Sequence, residues 1–397
     1  MRRASWKTGS VRARSRLWRA TATLISTAAL VGAGLTGGVA SAAPAPPAGS
    51  AASAAAIPAQ FARVLAGQHV IYSYPGPTPP PELFEAVRAG EAAGVIFFSE
   101  NIVSLEQIRD VAQALQDAAM ASPVPMPLLL LTDQEGGEVR RLRLPGADWP
   151  ADSAAAVGAS ADPAAAGART GHEAAAALHA AGLTGNLAPV LGVYRTPGDF
   201  LDRYERSYSS DPAVVGAAAG AFIAAQQADG IAAAAKHFPG LGAAPAGANT
   251  DEEPVTIPLD AGTLRSVDEA PYRAAIDAGV DMVMPSWAVY PALDPGTPAG
   301  LSSTILRGDL RGALGYQGVI VSDAIEAGAL AAFGDSGDRS VAALAAGQDL
   351  ALCSARDAGQ GAQATGDLAA AITGGRLDLG DVLVSTERVL ALRLSLR

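Results

Sequence analysis

One pattern repeats eight times along this chain: a short apolar run is followed by a longer segment with helical spacing, usually rich in alanine. The runs are HVIYSY from His69, GVIFFSE from Gly94, PLLLLTD from Pro127, GNLAPVL from Gly185, IAAAAKHF from Ile231, DMVMPSW from Asp281, GVIVSDA from Gly318 and DLALC from Asp349. Between them lie helical segments such as LEQIRDVAQALQDAAM and PAVVGAAAGAFIAAQQADG, often ending at glycine as helix C-termini do. Eight such βα units predict a single-domain α/β fold, a parallel (β/α)8 barrel of the TIM type. A doubly wound open sheet is the competing solution. It is disfavoured because no Gly-x-Gly-x-x-Gly follows the first run and because the last unit leads into a closing helix rather than a second domain.

The repeat starts late. Residues 1–42 carry a basic stretch without acidic residues (Arg2, Arg3, Lys7, Arg12, Arg14, Arg16, Arg19), then an apolar run, then Ala40-Ser41-Ala42, the three parts of a cleaved signal peptide. The run lacks the basic flank of a retained anchor, so export with release from the membrane is expected, and the mature protein is secreted. Residues 43–57, mostly Ala, Pro and Ser, read as a flexible tether, and the barrel is expected over residues 58–397. Loss of residues 1–42 removes seven positive charges and moves the formal charge from -11 to -18. That acidity argues against nucleic-acid or anionic-lipid partners. The single cysteine, Cys353, has an apolar setting and reads as a buried structural thiol.

A parallel barrel places its chemistry at the carboxyl ends of its strands and in the loops that follow. Run three ends at Asp133 and continues into QEGGEVRRL, which holds Arg141; the long fourth loop carries Arg206; run five ends at Lys236-His237; run seven ends at Asp323. Asp323 is either a reactive carboxylate at the barrel mouth or a cap for the segment AIEAGAL. Strand alternation lets only one of Lys236 and His237 point straight inward, while the other leans over the rim. Cations in such a place bind anions, orient hydroxyls or form Schiff bases. With Asp133, Arg141 and Arg206 they make a rim of mixed sign, suited to a neutral, hydroxyl-rich ligand. His172 and His179 lie on one face of an Ala-rich segment with no third ligand in the sequence nearby, and no metal site is assigned to them. Trp287 reads equally as a sugar-stacking platform or as core.

Taken together, LLLLTDQEGGEVRRL, GLTGNLAPVLGVY, RSYSSDP, AAAAKHFPGLG, VDMVMPSW with YPALD, and GYQGVIVSDAIEAGAL resemble glycoside hydrolase family 3, in its single-domain β-N-acetylhexosaminidase branch. The resemblance spans roughly residues 60–395. It implies an exo-glycosidase that removes terminal β-linked N-acetylglucosamine from cell-wall fragments or chitin-type oligosaccharides. The reaction proceeds with retention, through a covalent intermediate and without metal or cofactor. It further implies that Asp323 is the nucleophile and that Asp133, Arg141, Arg206, Lys236 and His237 grip the sugar and hold the nucleophile ionised. A monomer is expected. A β-glucosidase of the same family is the alternative enzyme.

The chain departs from that branch after run five. There the branch reads Lys-His-Phe-Pro-Gly-His-Gly-Asp followed by Asp-Ser-His, whose Asp and His deliver the proton to the leaving oxygen. Here Leu241, Ala243, Gly247 and Asn249 stand at the four polar positions, Trp287 replaces a His and Gly192 an Asp. Three readings follow. A carboxyl in NTDEEP takes over as general acid, with Asp251 favoured because Asn249-Thr250 can fix the turn, and with a separation of about 5 to 5.5 Å from Asp323 expected in a closed site. Alternatively the enzyme acts only on reactive leaving groups or non-water acceptors, or the protein binds sugar without turnover and TDEEP is a solvated turn.

Overall fold

In the computed structural model, which describes residues 57–396, every one of the eight apolar runs supplies a strand. These are β1 (Val70–Tyr72), β2 (Gly94–Ile96), β3 (Leu129–Thr132), β4 (Gly185–Asn186), β5 (Ala232–Phe238), β6 (Met282–Pro285), β7 (Val319–Ala324) and β8 (Leu350–Leu352). Each pairs in parallel with its sequence neighbours, and β8 returns to β1 through Val70 opposite Ala351, so the sheet closes. Closure decides against the open doubly wound sheet. The signal peptide, and all but the last residue of the expected tether, lie outside the described residues.

Strand alternation sorts the side chains into two environments. Ile71, Ile96, Leu129, Leu131, Ala232, Ala234, Met282, Met284, Val319, Val321, Leu350 and Leu352 form one buried cluster inside the barrel. Val389 and Leu392 of the final helix, Leu379–Ser395, join that cluster and close it. The alternate residues, including Val70, Tyr72, Val95 and Leu130 on one side and Ala233, Ala235, Val283 and Ile320 on the other, pack outward beneath the helices. The same alternation places the site. One step beyond the apolar pairs Leu129/Leu131, Ala232/Ala234 and Val319/Val321 come Asp133, Lys236 and Asp323. Three charged groups therefore enter the barrel axis at one level, with hydrocarbon below them.

The surrounding helices start where local chemistry starts them. Asp162 and Asp211 each accept a first-turn N–H and each precedes a proline, at the heads of helices Pro163–Ala180 and Pro212–Ala228. Those two helices approach closely because Gly167 and Gly171 have no side chain. A Cβ there would lie 2.2 Å from the Ala218 carbonyl oxygen and 2.4 Å from that of Phe222.

Candidate active site

A cavity of about 350 Å³ opens at the carboxyl ends of the strands, and all seven residues singled out from the sequence line it: Asp133, Arg141, Arg206, Lys236, His237, Asp251 and Asp323. Lys236 and His237 are both buried and both face this cavity, and the peptide bond between them is cis.

The floor is an ionic network with a member that sequence reasoning missed. Glu135 accepts two parallel hydrogen bonds from Arg206, Nε to Oε2 and Nη2 to Oε1, both 2.8 Å, and its Oε1 also lies 2.8 Å from Lys236 Nζ. Lys236 Nζ donates to Asp133 Oδ1 at 2.8 Å, and Arg141 Nη2 stands 3.5 Å from Asp133 Oδ2. Burial pushes the Glu135 carboxyl up, but Arg206 and Lys236 outweigh it and bring its pKa down to about 2. Asp133 is also held below the ordinary carboxylate range, burial being overcome by Lys236 and then Arg141. Burial alone lowers an ammonium pKa, yet Asp133 and Glu135 raise that of Lys236, so all three stay charged. The signal for Glu135 was present in Asp133-Gln134-Glu135-Gly136-Gly137: two residues past Asp133, it turns to the same side. Gly136 and Gly137, with φ of 112° and 55°, supply backbone that other residues rarely adopt, and fold the segment into a ribbon of Gln134–Gly136 against Val139–Arg140.

Asp323 stands apart from this network. Its side chain is 17% exposed, its Oδ2 is 3.9 Å from His237 Nε2, and its Oδ1 accepts the N–H of Ala324 at 2.8 Å. It does not cap a helix, which removes that reading. The expectation that nearby cations depress its pKa is also corrected. Burial first, and repulsion from Asp251 second, raise it, while the Ala324 N–H and then Lys236 pull the other way. Asp133, which is paired with Lys236, adds a smaller push upward. His237 is held well below its ordinary pKa by burial and by Lys236 and Arg206, so it is a neutral imidazole. Its Nδ1 is buried without a hydrogen-bond partner among the described residues.

Asp251 reaches the same cavity from the loop after β5. Asn249 Oδ1 accepts the N–H of Asp251 at 3.1 Å, and Asn249 Nδ2 donates to Glu252 Oε1 at 2.9 Å, an Asx turn of the kind expected from Asn249-Thr250. Thr250 is buried, whereas Asp251 opens to solvent at the cavity mouth. Protein crowding raises the Asp251 pKa, Arg206 opposes this, and Glu326 and Asp133 reinforce it; its access to water screens part of that shift. The loop's first half lies in the core: Leu241 and Ala244 are buried, and the Ala244 carbonyl accepts the N–H of Phe200 at 2.9 Å.

Two adjacent carboxyl groups that repel one another retain one proton between them. Asp323 has the Ala324 N–H and Lys236 favouring its anion against burial and Asp133, and Asp251 has Arg206 and Lys236 favouring its anion against burial, Glu326 and Asp133. The arrangement can therefore offer one ionised and one protonated carboxyl to a ligand in the cavity.

Other residues weighed from the sequence have structural roles. Trp287 is fully buried, and its Nε1 donates to the Ala324 carbonyl at 2.9 Å, so it fixes the backbone beside Asp323 and is not a stacking surface. His172 Nδ1 meets Asp229 Oδ2 and His179 Nε2 meets the Asp229 carbonyl, each at 2.6 Å, which ties one helix to the end of the next. Cys353 is buried, and burial pushes its thiol pKa up.

Residues 69–392 match the glycosyl hydrolase family 3 N terminal domain. A protein of Arthroderma benhamiae described as an uncharacterized secreted glycosyl hydrolase is 46% identical over 331 residues, 83% of this chain and 92% of that one. A beta-hexosaminidase of Pseudomonas aeruginosa is 36% identical over 271 residues, 68% of this chain and 76% of its own length. Among solved structures, a glycoside hydrolase family 3 beta-N-acetylglucosaminidase from Paenibacillus superposes with a TM-score of 0.78 at 33% identity. That match covers 84% of this chain but only 62% of the Paenibacillus chain. A beta-N-acetylhexosaminidase from Beutenbergia cavernae gives a TM-score of 0.75 at 32% identity and covers 84% of this chain and 98% of its own. With a closed barrel, a charged mouth and a family match over most of its length, the chain belongs to glycosyl hydrolase family 3.

Proposed function

We propose that this protein is an exported, retaining exo-glycosidase that releases terminal β-linked N-acetylglucosamine from cell-wall fragments or chitin-type oligosaccharides. The observation that carries the proposal is the meeting of Asp323 and Asp251 in one cavity beside a fixed polar network. Support for the sugar comes from the relatives described as beta-hexosaminidases and beta-N-acetylglucosaminidases. For export, support comes from the relative described as secreted and from the signal-like residues 1–42.

In the proposed reaction the ring hydroxyls are gripped by Asp133, Arg141, Arg206, Lys236 and His237, and Glu135 holds Lys236 and Arg206 in place. An Asp323 carboxylate oxygen bonds to the anomeric carbon as the bond from that carbon to the leaving oxygen breaks, and Asp251 gives its proton to the departing oxygen. An alcohol leaves and a glycosyl ester remains on Asp323. Water then attacks the anomeric carbon, its proton passes to Asp251, and Asp323 departs as carboxylate. Asp251 thereby takes the part that an Asp-His pair plays elsewhere in the family branch, and Asn249, at the position of that His, builds the turn that presents it.

The test is turnover of an aryl β-N-acetylglucosaminide and of a natural disaccharide by the wild type and by Asp323→Ala. Both substrates are expected to be cleaved by the wild type and neither by the variant. A wild-type protein that binds the sugar but cleaves neither substrate is a carbohydrate-binding protein, and the enzyme reading is then wrong.

A further inference from the structure

The loop that bears Asp251 is docked, and the dock lies on the segment that carries Asp323. The Gly328 N–H donates to the Asp251 carbonyl at 2.8 Å and the Ala329 N–H to the Thr250 carbonyl at 3.1 Å. Both donors come from the single tight turn Gly328–Leu330, at whose start the N–H groups have no partner within the turn. Only a residue without a side chain fits the first position, since a Cβ on Gly328 would lie 2.1 Å from the Glu252 carbonyl oxygen and 2.4 Å from its carbonyl carbon. Those contacts are backbone, so the clash is relieved by moving the loop and not by turning a side chain.

The seat itself is firmly held. Glu326, between Asp323 and Gly328, accepts from Ser354 Oγ at 2.6 Å, from the Ser354 N–H at 3.2 Å and from Gln360 Nε2 at 3.0 Å. Ser322 Oγ accepts the Leu352 N–H at 2.8 Å just before Asp323, and the Trp287 bond to the Ala324 carbonyl fixes the residue just after it. The short stretch from Ser322 to Ala329 thus carries the one carboxyl and the dock for the other.

We infer that Gly328 is a positioning residue for proton delivery: its missing side chain and its N–H seat the Asp251 loop at a fixed place relative to Asp323. This inference rests on the reading of Asp251 as general acid, and the experiment separates the two. Gly328→Ala, Asn249→Ala, Asp251→Asn and the control Gly308→Ala, whose added methyl meets no atom within 4 Å, are compared on a β-N-acetylglucosaminide with an activated leaving group and on one with an alkyl leaving group. Deleting general acid catalysis costs about 10²–10⁴-fold where the leaving oxygen needs a proton. For Gly328→Ala, kcat/KM is expected to fall at least about 30-fold on the alkyl glycoside and less than about threefold on the activated one, with the alkaline limb of the pH profile displaced. Asn249→Ala, which loosens the turn without touching the dock, is expected to show the same pattern more weakly, and it carries the test should Gly328→Ala fail to fold. If Asp251→Asn shows the leaving-group pattern while Gly328→Ala or Asn249→Ala matches Gly308→Ala, or loses both substrates equally, the positioning inference is overturned. When Asp251→Asn itself lacks the pattern, the general-acid reading falls, and the inference with it.

Discussion

The reading of the two carboxyl groups leads to a specific result for Asp251→Asn. Asp323 and Asp251 repel one another, so the pair loses its protons in two steps that belong to the pair. If the first proton leaves Asp323, the acid limb of kcat/KM reports Asp323 titrating beside a neutral Asp251. Asparagine is a neutral group of nearly the same shape. Replacing Asp251 should then leave the acid limb within about half a pH unit of the wild type, remove the alkaline limb, and lower kcat/KM on an alkyl glycoside by about 10²–10⁴-fold, that is about 3–5 kcal/mol of transition-state stabilisation. An activated aryl glycoside, whose leaving group needs no proton, is expected to lose less than about tenfold and is the substrate for the pH profile. The opposite assignment gives the opposite shift. If the shared proton sits on Asp323, the wild-type acid limb reports Asp251, and Asp251→Asn uncovers the higher pKa of buried Asp323, so the limb moves up by a pH unit or more. An upward move of that size refutes the assignment of Asp251 as acid and Asp323 as nucleophile.

Three further outcomes follow from the surroundings of the site. Glu135→Gln leaves Lys236 and Arg206 with less negative charge at a buried site, and chemical denaturation at neutral pH should show a loss of about 3–5 kcal/mol, together with weaker sugar binding. Because the folded pKa of Glu135, about 2, lies below its ordinary 4.5, its contribution to stability is present above pH 4.5 and is lost as pH falls toward 2, so in Glu135→Gln that part of the acid sensitivity should be missing. Trp287→Phe keeps an aromatic in the core but removes the indole hydrogen bond to the Ala324 carbonyl, leaving that oxygen the Ala327 N–H at 3.1 Å, and should cost about 0.5–1.5 kcal/mol of stability by denaturant titration and lower kcat more than it changes KM.

How much of this was legible beforehand depended on the range of the interaction involved. The barrel was legible because strand formation and inward alternation are local: the apolar pairs that fill the interior directly precede Asp133, Lys236 and Asp323. Those positions, with Arg141 and Arg206, could be placed at the mouth from fold geometry alone, whereas the Asn249 turn stood out only against the family's pattern. Glu135 was missed because Gly136-Gly137 mark a turn without saying which way the preceding side chain points, and the ribbon that follows turns it back to Lys236 and Arg206. Trp287 was ambiguous because an aromatic near a strand end is apolar in either role, and only its bond to the Ala324 carbonyl decides between them. The pKa of Asp323 was misjudged because cations were counted without the burial of the carboxyl and the repulsion from Asp251, both of which depend on the folded loops. The Gly328 dock was illegible because it consists of backbone approaching backbone between distant loops, and neither stretch marks it by composition.

The central claim is that Asp323 carries the sugar during turnover. A fluorinated β-N-acetylglucosaminyl fluoride, which forms the glycosyl ester faster than the ester hydrolyses, tests it by intact mass followed by peptide mapping. The expected result is one added glycosyl unit, on the peptide that contains Asp323, which is lost when Asp323 is replaced by Ala. Turnover of the aryl glycoside with no adduct, or an adduct on another residue, contradicts the account.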